Sequence, residues 1–129
     1  MSVYTIRNLR DSEDFAPKFG FADVQEARFP WRDLGAERTG IAHIVVKPGR
    51  RQAFAHRHHA AEEVYVILSG AGRVKLDDDV VDVGRLDAIR VSPPVARAFE
   101  AGPDGLEVLA FGTHHEGDAE VLPGDFWEG

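Results

Sequence analysis

From Thr39 onward the chain is cut into short apolar or alternating runs by closely spaced turn signals. These are Pro48-Gly49, Ser69-Gly70, Asp77-Asp78, Gly84, Pro93-Pro94 and Gly102-Pro103. The runs between them predict strands near 40–46, 52–58, 63–68, 71–76, 79–83, 86–91, 96–100 and 106–111. No stretch sustains an apolar period of 3.6 residues over ten positions. The one candidate, Asp23 to Arg28, is long enough for only a turn of helix. Many short strands without helices imply a sandwich or a barrel, and no repeat at a fixed period suggests a solenoid.

The first 38 residues have a different texture. Phe15, Phe19, Phe21, Phe29 and Trp31 are scattered among Pro17, Gly20, Pro30 and Gly35. Aromatics in a turn-rich stretch read as an irregular arm packed on the core, through plain packing or as a lid or dimer arm. Residues 39–112 then form the barrel. Residues 113–129 form a tail whose Phe126 and Trp127 need a surface to rest on, their own barrel's or a partner's.

At 129 residues the chain is the size of a single domain that buries roughly two-thirds of its unfolded surface. A formal charge of −7 disfavours a phosphate backbone as partner. The absence of cysteine excludes disulfides, thiolate ligands and a cysteine nucleophile. No run approaches the ~20 apolar residues that cross a bilayer, and the opening residues lack the apolar run of a signal peptide. The expectation is a soluble, cytoplasmic protein with no membrane partner. Phosphate-loop, dinucleotide-fingerprint and nucleophile-elbow motifs are all missing, so neither a nucleotide cofactor nor serine-hydrolase chemistry is expected.

The segment that carries chemistry runs from Pro48 to Gly72. On a strand, residues two apart face the same side, so His56 and His58 project together with their Cα atoms roughly 6–7 Å apart. Glu63 opens the following apolar strand and is placed to complete the face. Two imidazoles and a carboxylate suit Fe(II), Mn, Ni, Co or Zn. Glu62, the neighbour, reads as a solvated charge, and His59 as part of a solvated turn.

The string Gly49, His56-x-His58, Glu63, Gly70 resembles the first motif of the cupin family, with one extra residue between Gly49 and His56. The likeness extends over about residues 39–112, and is strongest to small single-domain bacterial cupins of unassigned function. It implies an all-β jelly-roll barrel (a double-stranded β-helix) around a pocket, a divalent transition metal on His56, His58 and Glu63, a small-molecule ligand and a homodimer. The metal would serve a dioxygenase or an isomerase.

The second cupin motif does not survive. Its placement puts Leu86 at the first glycine, Ser92 at the proline, Pro94 at the second glycine, Arg97 at the histidine ligand and Ala101 at the asparagine. A guanidinium only donates hydrogen bonds and cannot replace that ligand. Two readings follow. Arg97 pairs with Glu63 inside the barrel, giving a metal-free binding module or a remnant scaffold, or it turns to the pocket and grips an anionic group of the substrate. Tyr65 shares a face with Glu63 and is either a packed aromatic or a pocket hydroxyl and proton donor. His43 is either a core histidine or a pocket residue, there as a replacement ligand or, like Tyr65, a candidate proton donor. His114 and His115 follow the last strand and read as exposed loop residues, with the barrel mouth within reach.

Overall fold

The computed structural model describes residues 3–128. Eight strands carry the fold: β1 (Gln25–Arg28), β2 (Thr39–Val46), β3 (Ala55–His58), β4 (Glu63–Leu76), β5 (Asp79–Gly84), β6 (Ala88–Val91), β7 (Arg97–Thr113) and β8 (Ala119–Leu122). Every pairing is antiparallel. The strand β7 is the hub. Its second half runs between β2, with Ile44 opposite Val108, and the first half of β4, with Ile67 opposite the same Val108. Its first half pairs with the second half of β4 and touches β3 at His56 opposite Arg97. One long strand thus ties together a single eight-stranded sheet that curls into the expected all-β barrel. β1 extends it beyond β2, and β8 beyond β3.

The strands expected at 63–68 and 71–76 are one continuous strand, as are those at 96–100 and 106–111. The turn signals that separate them mark bends instead of breaks. The β4–β7 register shifts between Ile67 and Ser69 and again between Gly70 and Gly72. Gly70 has φ +80°, and a Cβ there would sit 2.1 Å from the Gly105 carbonyl oxygen. Only glycine allows both that backbone and that approach.

The barrel fills because alternate positions of each strand face inward. Val46, Ile67, Val74, Phe99, Leu106 and Val108 are fully enclosed. Each such side chain contributes roughly 1.5–3 kcal/mol relative to leaving it in water.

Two short segments depart from expectation. Residues 25–28 form strand β1 where a helical turn was the candidate, because they find an edge partner in β2, with Ala27 opposite Ile44. Residues 119–122 form β8 within the tail, laid against β3. The remaining regular pieces are a four-residue helix, α1 (Trp31–Leu34), and two single 3₁₀ turns in the arm. The arm is tied down by Asp14, whose carboxylate accepts from the backbone of Ala16 and Ala27. The tail folds back on its own barrel, where Trp127 lies between the guanidinium groups of Arg51 and Arg73 at 4.9 and 5.6 Å. No helix among the described residues is long and apolar enough to cross a membrane.

Candidate metal centre and its cavity

His56 and His58 end β3 and Glu63 begins β4, so a four-residue turn brings all three to one end of the barrel interior. One ligand atom from each lies within 4.8 Å of the others. Four donor-bearing groups crowd a single carboxylate oxygen. His56 Nε2 is 3.4 Å from Glu63 Oε1 and His58 Nε2 is 3.1 Å from it. Tyr65 donates its hydroxyl to the same oxygen at 2.5 Å, and Arg97 donates Nη1 at 3.0 Å. Burial alone would raise the pKa of Glu63. The contacts from His56, His58 and Tyr65 override it and hold the carboxylate well below its usual range. Tyr65 moves the other way, since burial and the Glu63 charge push its phenol well above the ordinary tyrosine value. It stays a protonated donor.

The sequence motifs give no sign of Asp118. This residue lies in the tail just before β8, and its Oδ2 is 3.1 Å from His58 Nδ1. The backbone N–H groups of Ala60 and Ala61 donate to the same carboxylate. Burial works against its charge, but these two donors and His58 keep it ionised. An ionised carboxylate only accepts, so Nδ1 of His58 carries the proton. The one general hint is that metal-binding histidines usually rest their second nitrogen on a carboxylate.

His58 Nε2 is the ring nitrogen turned to the cluster. It is buried 3.1 Å from Glu63 Oε1, without the geometry of a hydrogen bond. That contact is also the main influence raising the His58 pKa, against burial. A proton on Nε2 or a cation between the two atoms satisfies this contact, and the donor set of two imidazoles and a carboxylate within 4.8 Å of one another fits a divalent cation.

Arg97 is fully buried. Nη1 is on Glu63, and Nη2 donates to the Ser92 carbonyl at 2.8 Å. It is absent from the cavity wall, and of the two readings of this residue the ion pair with Glu63 is the arrangement present. His43 is also absent from the wall. It is buried on the other face of β2, with Nε2 2.7 Å from Glu107, because its neighbours Ala42 and Ile44 take the inward positions. Glu62 points outward and pairs with Arg90 at 3.3 Å, and His59 is exposed.

Above the cluster opens a cavity of about 650 Å³. His56, His58, Glu63, Tyr65 and Asp118 line its floor, and the arm supplies much of its wall through Phe15, Phe19, Phe21, Phe29 and Trp31. The arm aromatics, which the sequence offers first as packing, are thus also cavity wall. His114 and His115 line the cavity as well, and the His114 ring stacks on Trp31 with centroids 4.1 Å apart.

Known proteins bear on this arrangement in three ways. An uncharacterised protein of Methanocaldococcus jannaschii, MJ1618, is 28% identical over 88 residues, covering 66% of this chain and 70% of its own. The crystal structure of a cupin protein from Bacteroides fragilis superposes with a TM-score of 0.70 at 21% identity, over 97% of this chain and 92% of that one. Oxalate decarboxylase from Bacillus subtilis gives a TM-score of 0.76 at 21% identity, over 95% of this chain but only 33% of that longer protein. At these identities the two structural likenesses speak for the fold alone. The profile of the cupin domain matches residues 42–111, more than half of the sequence. With its barrel, and with His56, His58 and Glu63 gathered inside it, the chain belongs to the cupin family.

Proposed function

We propose that His56, His58 and Glu63 hold a divalent transition metal and that the protein binds or transforms a small organic molecule in the cavity above it. The observation that carries this reading is the convergence of His56, His58 and Glu63, one ligand atom from each within 4.8 Å of the others, with Asp118 holding the far side of the His58 ring. Two imidazoles and one carboxylate leave coordination positions open, the donor pattern of non-haem iron sites and a fair match to Mn, Ni, Co or Zn. The bound metal would supply Lewis-acid or oxygen-activating chemistry of the dioxygenase or isomerase kind. The chain's own groups have distinct tasks. Asp118 fixes the tautomer of His58, Arg97 stabilises the Glu63 carboxylate from behind, and Tyr65 keeps a proton beside the floor. We place the protein in the cytoplasm as a homodimer, a state that sedimentation equilibrium measures.

A second reading is favoured by the Arg97–Glu63 pair. At 3.0 Å, Arg97 already neutralises Glu63, and the barrel would then bind its ligand without metal. Elemental analysis of untagged protein separates the two. The first reading expects about one transition-metal ion per chain, lost in Glu63→Gln. The second expects none, even after incubation with each metal and removal of the excess.

A further inference from the structure

The cavity wall is chemically one-sided. Phe15 packs on Phe29 with ring centroids 5.8 Å apart, and Phe21 packs on Phe54 at 5.3 Å. With Phe19 and Trp31 these rings enclose the space above the floor. Uncharged hydrogen-bonding groups in the wall are few. Gln25 and Gln52 line the cavity with their side-chain oxygens already accepting from the backbone of Ala53 and Phe99, which leaves their amide N–H groups and the Thr113 hydroxyl. No lysine or arginine lies in the wall among the described residues. Arg97, the cation nearest the floor, is spent on Glu63 and the Ser92 carbonyl. The groups that gain positive charge by protonation are the floor histidines and, farther up, His114 and His115.

A polyhydroxylated ligand would leave most of its hydroxyls unpaired against these rings, and each unpaired polar group costs affinity. A phosphate or carboxylate would enter an apolar space without a fixed cation to meet it. A flat hydrocarbon ring finds edges and faces to pack on. The volume, about 650 Å³, lies within the range that encloses a small organic molecule.

We infer that the cavity takes an uncharged, ring-bearing molecule with one oxygen-bearing edge (a phenol, an enol or a ketone), its ring against the arm phenylalanines and its oxygen at the His56–His58–Glu63 floor. This rests on the reading that the cavity serves a small organic molecule, and it names the class.

Calorimetric titration of untagged, metal-stripped protein with 1-naphthol, 1-naphthyl phosphate and methyl glucoside tests it. The expected result is that 1-naphthol binds at least tenfold more tightly than 1-naphthyl phosphate and that the glucoside gives no binding heat. Phe29→Ser and Phe19→Ser should each weaken 1-naphthol binding severalfold. Phe19 is 64% exposed, so its variant keeps the test valid if Phe29→Ser misfolds. Equal or tighter binding of the phosphate or the glucoside, no binding of 1-naphthol, or indifference of both variants overturns the inference. Metal content, measured on the same protein before stripping, is an independent readout. Selective 1-naphthol binding by a chain that never carries metal sustains the ligand class and removes the metal reading. One metal per chain without that selectivity does the reverse.

Discussion

His58 is held at Nδ1 by Asp118, which two backbone donors hold in turn, so Nε2 stays turned to Glu63. Replacing Asp118 by Asn keeps the shape and removes the charge that sets the tautomer. Metal affinity should fall about 10–100-fold, the usual effect of losing such a partner, with the far-ultraviolet circular dichroism unchanged. A competitive-chelator titration reads the affinity. The three proposed ligands are legible in the amino-acid sequence, because the two-residue strand period puts His56 and His58 on one face. Asp118 is not, since its role depends on how the tail folds back beside β3, a contact about 60 residues away in sequence. Arg97 is legible as the departure from the family pattern, but its direction is not. Register decides it: β3 and β7 pair at His56 and Arg97, behind Glu63.

At the scale of elements, the turn between β5 and β6 carries an unrelieved cost. Leu86 stands at φ +70°, a left-handed conformation that L-residues avoid, and it occupies the place where the family pattern has glycine. That conformation costs roughly 1–2 kcal/mol for a residue with a Cβ, while glycine gives back roughly 0.5–1 kcal/mol through its freer unfolded chain. Leu86→Gly should therefore stabilise by about 0.5–1 kcal/mol, read from the urea midpoint at unchanged slope. Gly70 is the converse. Gly70→Ala adds a methyl 2.1 Å from a carbonyl oxygen at positive φ, and should destabilise by at least about 1–3 kcal/mol in the same experiment. Strand positions between Thr39 and Phe111 are readable from alternation and turn residues. The continuity of β4 and β7 is not, because Gly70 and Gly102 signal a bend and a break with the same letter. β1 and β8 are invisible locally, since their hydrogen bonds depend on an edge contributed by a distant strand.

For the whole molecule, acidification should loosen the outer surface first. Glu100 sits between Arg51 and Arg73, at 2.7 Å from each, and Glu107 accepts from His43 and Ser69. For Glu100, desolvation opposes the charge, but the two arginines prevail and set its pKa below the ordinary 4.5. For Glu107 the His43 contact is the main cause of the same downward shift. A carboxylate with a depressed folded value stabilises the fold above its unfolded pKa. That contribution fades as pH falls through the folded value. The contribution of these carboxylates should be level above about pH 5 and decline below about 4.5, with a shallower decline in Glu100→Gln, by thermal melts across pH; His58, whose folded value is raised above the ordinary 6.5, adds stability below that value that fades as pH rises. Glu100 also braces the arginines that clasp Trp127, so Trp127→Ala should cost about 0.5–1 kcal/mol and leave metal content untouched.

The cavity draws its walls and its brace from both ends of the chain. Phe15 to Trp31 precede the span that matches the family profile, and Asp118 follows it. The His56–His58–Glu63 cluster is thus written in the middle of the sequence and much of the cavity wall at its margins, so the proposed ligand preference rests on those margins. Two barrels with the same His-x-His and glutamate could serve unlike molecules by exchanging only their outer segments. Grafting this chain's residues 1–31 onto another such barrel would carry the preference across with them.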